Sequence, residues 1–229
     1  MRNHPFFSSI HNDLIVSCQA LEDEPLHGSE IMAKMAQAAK DGGAKAIRSN
    51  SAVDVAAIKR QTGLPIIGLV KRDYPDSEIY ITATLKEVKE LLAVEADVIA
   101  LDATYRKRPN GETLKDLVNY IHEHSNTLVM ADIANVRDAE YAMDCGADMV
   151  STTLSGYTND SPKQLDPDFE LVEQLSKLLP VPVIAEGRIQ TPEQARKMLE
   201  LGAWSIVVGG AITRPQLITK TFAERIGIG

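Results

Sequence analysis

From about residue 12 the chain alternates between two apolar rhythms. Short runs rich in Val, Ile and Ala, without sustained polar alternation, are each followed by a longer stretch in which apolar residues recur every three or four positions. NDLIVSCQA reads as a strand, and HGSEIMAKMAQAAKDGGAKAIRSN continues as cap, helix, turn and second strand. Ser29 is placed to cap that helix, Ile31, Met35 and Ala38 recur at helical spacing, and Gly42 with Gly43 ends it. VDVAAIKRQTG leads through another helix into LPIIGLV. The same order returns in TLKEVKELLAVEADVIALDAT, GETLKDLVNYIHEHSNTLVMADI, NVRDAEYAMDCGADMVSTTL, DPDFELVEQLSKLLPVPVIAEGRI and TPEQARKMLELGAWSIVVGGAI, with a last helix after TRPQ.

Eight strand candidates thus alternate with helices, as parallel strands buried beneath crossover helices do. An open doubly wound sheet satisfies the same alternation. Eight nearly even units favour closure into a single-domain α/β fold, a (β/α)8 TIM barrel over residues 1–229, with residues 1–12 as an N-terminal extension or capping segment. In that architecture the carboxyl ends of the strands converge on one functional face.

Composition narrows the function. A net charge of -8 argues against a broad nucleic-acid-binding face, yet leaves room for a small anion held by a few local cations. Cys18 and Cys145 are too few for a disulfide framework and read as ordinary thiols; the scattered histidines form no ligand set, so no metal is expected. The apolar runs are strand-sized, and MRNHPFFSSIHNDL lacks a signal-peptide core, so the expectation is a cytoplasmic protein with no membrane span. YRKRPNGE, residues 105–112, reads as a solvated or substrate-covering loop.

The strand ends collect Gln19, Arg48, Lys71, Asp102, Asp132, Thr152, Thr153, Glu186 and Arg188. Arg48 suits a phosphate or carboxylate, or a structural pair with Asp132 or Glu186. Lys71, delivered by PIIGLV to the point where the chain turns polar, is a catalytic candidate or a solvated strand-end charge. Asp102 in ALDAT orients a lysine or fastens a turn. Asp132 and Glu186 each close an apolar strand, where a carboxylate needs water or a partner. Gln19 offers two-way hydrogen bonding or turn stabilisation, and Thr153 contacts a ligand or packs the barrel.

The last two strands end in AEGRI and VVGGAITRPQ. Gly187, Gly209 and Gly210 permit close backbone approach to an anion, while Arg188 and Arg214 supply charge-assisted donors where phosphate sits in this architecture. Thr213 is placed to cap the final helix, with Pro215 in its first turn. Neither a GxxxxGK[ST] loop nor a GxGxxG fingerprint occurs, so the phosphate is expected on a small substrate rather than on ATP or NAD. An aldolase, an isomerase and an epimerase each fit a lysine beside a carbonyl.

LIVSCQA, PIIGLVKRDY, DSEIYIT, ALDAT, STTLSGYT, AEGRI and GGAITRP, in this order from about residue 12 to the end, resemble the bacterial N-acetylmannosamine-6-phosphate 2-epimerase family. The resemblance implies reversible conversion of N-acetylmannosamine 6-phosphate and N-acetylglucosamine 6-phosphate. It matches Lys71 and Glu186 to the family's catalytic lysine and carboxylate, and Gln19, Arg48 and Asp132 to substrate contacts. Gly187, Gly209 and Gly210 match its glycine-rich ends, with Arg188 and Arg214 nearby. Epimerisation at carbon 2 of an opened sugar needs no cofactor: the aldehyde acidifies the neighbouring carbon, Lys71 takes its proton, and Glu186 assists ring opening or proton transfer. A Schiff-base aldolase and a nonenzymatic phosphosugar-binding barrel are the alternatives. A homodimer is expected, with Trp204 and Phe222 supplementing the contact.

Overall fold

A computed structural model describes residues 4–227. Eight parallel strands close in sequence order into a barrel: β1 Leu14–Cys18, β2 Ala46–Asn50, β3 Ile66–Leu69, β4 Val98–Asp102, β5 Leu128–Asp132, β6 Met149–Ser151, β7 Val183–Glu186 and β8 Ser205–Val208. The helices are α1 Pro5–Ile10, α2 Ser29–Asp41, α3 Ala52–Thr62, α4 Leu85–Ala93, α5 Leu114–His124, α6 Val136–Cys145, α7 Phe169–Leu178, α8 Pro192–Glu200, α9 Gly210–Thr213 and α10 Pro215–Arg225. The expected (β/α)8 TIM barrel is the observed fold.

Strand periodicity divides the core in two. Val16, Ile47, Ile66, Ile99, Val129 and Val150 face outward and pack beneath the helices. Gly68 has a spacing reason on that outer face: a Cβ there would meet Leu91 at 2.9 Å, so the missing side chain lets α4 lie close to β3. The alternate residues Ile15, Ala46, Ile67, Val98, Met149 and Ile184 belong to a second buried cluster with Phe6, Phe7 and Ile10 of α1. Helix α1 therefore stops the amino-terminal mouth of the barrel with apolar side chains. Trp204 helps to hold it, donating its indole N–H to the Phe7 carbonyl at 2.9 Å.

Two capping expectations change. Gly28 is the N-cap of α2, and Ser29 instead donates its hydroxyl to Asp54 at 2.6 Å, tying α2 to the start of α3. Arg214, not Thr213, occupies the N-cap of α10; Thr213 donates to the Ser17 carbonyl at 2.8 Å and pins the turn after β8 to β1. Both hydroxyls found a partner on a neighbouring unit, which sequence spacing does not display.

Candidate active site

With apolar residues filling the amino-terminal half of the barrel, the inward positions at the other end are polar. Gln19, Arg48, Lys71, Thr153, Glu186, Gly187, Arg188, Gly209, Gly210 and Arg214 all line one cavity of about 420 Å³. Asp132 lies at its floor, bonded to Arg48 and Thr153. The positions singled out in the sequence for substrate or phosphate thus border one place.

Arg48 is buried to 1% exposure, and a guanidinium there must be neutralised. Its Nη1 and Nη2 donate to the two oxygens of Asp132 at 3.0 and 2.6 Å, and Nη1 lies 3.3 Å from Glu186 Oε2. Burial pulls the Arg48 pKa down, but Asp132 and Glu186 outweigh it and hold the group firmly charged. One cation thus faces two carboxyls. Burial drives both carboxyls upward, with Arg48 opposing the rise. Arg48 grips Asp132 at two points and Glu186 at one, and the neighbouring Asp132 adds to the upward push on Glu186.

Thr153 completes this arrangement. After β6 the chain makes a one-turn 3-10 helix, Thr152–Leu154, so Thr153 is not a strand residue; the turn aims Oγ1 at both carboxyls. It lies 2.9 Å from Asp132 Oδ1 and 2.9 Å from Glu186 Oε2. A hydroxyl has one proton to give. Thr153 Oγ1 is within donating distance of both carboxyls and links them. Ser151 Oγ is 2.8 Å from Thr153 and belongs to the same network.

Lys71 sits just past β3. Asn50 Oδ1 accepts its backbone N–H at 2.7 Å, and the loop that follows folds back so that Lys71 pairs with Ile81 in an antiparallel bridge. The loop is clamped at its far end: Arg108, buried, donates to the carbonyls of Thr82, Ala83 and Asp102. The pKa of Lys71 is lowered first by burial, then by Arg48 and Arg214, while Glu186 and Glu24 oppose the fall. Its ammonium forms no ion pair among the described residues. An amine in this setting is shifted toward the neutral, proton-accepting form.

Gln19 donates its amide to Ser17 Oγ at 2.8 Å, and its carbonyl oxygen is buried without a protein partner among the described residues; the same holds for Arg48 Nε. At the phosphate end, Gly187 takes φ +114° and Gly209 brings its Cα within a methyl group's reach of Ser17, where a Cβ would lie 3.4 Å from the serine Cβ. Arg214 points at the cavity and is gripped from behind by Glu24, 2.8 Å from Nε. Arg188 differs from its expectation. Its guanidinium donates to the carbonyls of Ser155 and Asp166 and lies over Tyr157, so it fastens the loop after β6 while the residue itself forms cavity wall.

The structure also decides the two neighbouring alternatives. Asp102 fastens a turn: Oδ1 accepts the Thr104 N–H and hydroxyl, and Oδ2 pairs with Arg106 at 2.5 Å. The loop 105–112 is not uniformly solvated, because Arg108 turns inward as described. Ser17, Asn50 and Ser151 were missed, although each is a strand residue two positions from a chosen one, Gln19, Arg48 and Thr153. Tyr80, which lines the cavity from the loop after β3, and Glu24 had no periodic signal.

Comparison with known proteins agrees with this geometry. Residues 32–228 match the family profile described as "Putative N-acetylmannosamine-6-phosphate epimerase". A relative from Clostridium perfringens (strain SM101 / Type A), named "Putative N-acetylmannosamine-6-phosphate 2-epimerase", is 59% identical over 94% of this chain and 97% of its own length. A relative of the same name from Enterobacter sp. (strain 638) is 54% identical over 93% of this chain and 92% of its own. The solved structure of the N-acetylmannosamine-6-phosphate 2-epimerase from Clostridium perfringens superposes with a TM-score of 0.95 at 57% identity, covering 98% of this chain and 97% of that one. A thiamine phosphate pyrophosphorylase from Pyrococcus furiosus, at 20% identity and TM-score 0.60, shares the fold alone. With the barrel, the strand-end lysine and carboxylates and the sequence identity all concurring, this chain belongs to the N-acetylmannosamine-6-phosphate 2-epimerase family.

Proposed function

We infer that the chain is an isomerase that interconverts N-acetylmannosamine 6-phosphate and N-acetylglucosamine 6-phosphate at the mouth of its barrel. The observation that carries the mechanism is that Lys71 and Glu186 line one cavity beside the buried guanidinium of Arg48, where burial pushes the amine down and the carboxyl up. Two groups driven apart in this way are suited to act as base and acid at the same pH.

The opened sugar presents an aldehyde next to the acetamido-bearing carbon. Lys71 removes the proton from that carbon, and the charge runs to the aldehyde oxygen as an enolate. Glu186 supplies a proton at oxygen for ring opening or charge relief, and Arg48 provides the buried positive charge that favours the enolate. Gln19, Asp132 and Thr153 orient the sugar and hold Glu186 in its donating state. Return of a proton to the opposite face of the planar carbon gives the epimer. Gly187, Gly209, Gly210 and Arg214 take the phosphate, which orients the substrate without entering proton transfer. No electron is gained or lost, so the reaction requires no redox cofactor.

The functional unit is a cytoplasmic homodimer in this reading. Helix α10 buries none of its residues; Phe222 is 69% exposed, with Leu217 and Ile226 also open. An apolar groove of about 830 Å³ lies outside the barrel, lined by Leu14, Ala195, Leu199, Ile206, Val208 and Ile212. A second copy's α10 offers the apolar side chains that this groove lacks. Among the described residues no helix is long and apolar enough to cross a membrane. Phe222→Asp is expected to move the mass measured by sedimentation from dimer toward monomer; an unchanged dimer would place the interface elsewhere.

Two further outcomes test the site. Lys71→Met is expected to keep the fold and phosphosugar binding but lose deuterium exchange at carbon 2, by a factor on the order of 10³ or more. Normal exchange in a folded variant would remove Lys71 as the base. Glu186, with a raised folded pKa, binds more protons in the native state, so its contribution falls as pH rises from the unfolded carboxyl value through the folded one. Urea denaturation should therefore show Glu186→Gln gaining stability over the parent as pH rises from 5 to 8, while interconversion is lost. A gain that does not depend on pH would show that Glu186 is ionised throughout.

A further inference from the structure

Arg214 has five N–H donors in a rigid fork, and two of them are already engaged. Its Nε lies 2.8 Å from Glu24 Oε1 and its Nη2 3.1 Å from Glu24 Oε2. Glu24 belongs to the loop between β1 and α2, and the loop fixes it in turn: the Leu21 N–H donates to Oε2 at 2.8 Å, and the Glu24 N–H returns to the Leu21 carbonyl at 2.9 Å. Gln216 Nε2 reaches Oε1 at 3.3 Å from the first turn of α10. Arg214 lines the cavity and Glu24 does not. The carboxylate thus holds one edge of the guanidinium from behind, and the other donors remain for a ligand in front.

We propose that Glu24 is a positioning residue for phosphate recognition, fixing Arg214 so that its free donor edge meets the phosphate of the sugar. The proposal rests on the epimerase reading given above. Glu24 has two opposing influences. Its charge repels a phosphate, while its two bonds remove the rotational freedom that Arg214 would otherwise lose on binding. Glu24 stays out of the cavity lining and its charge is paired with the Arg214 guanidinium, although it is still felt at Lys71. Positioning is therefore the larger influence. Arg188, on the neighbouring strand end, gives its Nε and Nη1 to the carbonyls of Asp166 and Ser155.

Steady-state kinetics of the full-length enzyme tests the assignment with Glu24→Ala, Glu24→Asp, Arg214→Ala and the double variant Glu24→Ala/Arg214→Ala. Epimerisation of N-acetylmannosamine 6-phosphate by the unaltered enzyme is the control: its absence would sink the functional reading itself, not the role of Glu24 alone. Glu24→Ala is expected to raise KM for the phosphorylated sugar about tenfold and weaken competitive inhibition by inorganic phosphate in parallel, with kcat within about twofold. Glu24→Asp should recover part of the loss. In the Arg214→Ala background, removal of Glu24 should add little, because the residue it positions is gone. An unchanged or lower KM in Glu24→Ala would overturn the proposal in favour of a repelling charge. Full additivity in the double variant, or a fall confined to kcat, would overturn it in favour of a separate structural role.

Discussion

The buried guanidinium of Arg48 is the constraint around which the chemistry is organised. A permanent charge at 1% exposure obliges the barrel to place carboxylate beside it, and β5 and β7 do so with Asp132 and Glu186. Removing a partner from such a buried pair typically costs about 3–5 kcal/mol, because the remaining charge is uncompensated. Two carboxyls against one arginine leave a surplus negative charge. Burial is the first cause of both displacements, raising Glu186 and lowering Lys71, each toward its neutral form; Arg48 opposes the rise of Glu186 and adds to the fall of Lys71.

The backbone serves this cluster with secondary fastenings outside it. The loop after β3 is clamped at one end by Arg108 and at the other by an ion-pair network in which Arg72 meets Glu87 and Glu90. Glu87 is buried and also closes the capping box of α4. Lys71 lies between these anchors, with its own N–H on Asn50, so its amine is carried on a rigid support rather than a free loop. On the opposite side of the mouth, Arg188 ties down the loop after β6, whose first turn presents Thr153.

Much of this was legible in the amino-acid order because the barrel repeats one local rule. Runs such as LPIIGLV and PVPVIAEGRI show where a strand stops being apolar, and in a parallel barrel all such stops share one face; Lys71 and Glu186 emerged from that rule alone. Arg48 could be placed in the site, but its choice between phosphate and carboxylate depended on β2 and β5 facing each other across the barrel, which no spacing within either strand encodes. Arg188 and Glu24 failed or escaped for a related reason. A side chain's direction after a glycine at positive φ, and a loop residue reaching a partner 190 positions away, are decided by tertiary packing. Ser17, Asn50 and Ser151 were within reach of the period-two pattern and needed only one more step along each strand.

The account stands on Lys71 being a weaker base in the folded protein than in a free chain, so that it is available as the amine. The direct measurement is an NMR titration of the folded enzyme labelled at the lysine side chains, with the Lys71 signal assigned by its loss in the Lys71→Met variant. The account predicts a Lys71 midpoint displaced below the other lysines and below the ordinary value of about 10.4. A Lys71 signal that titrates together with the solvated lysines would contradict it.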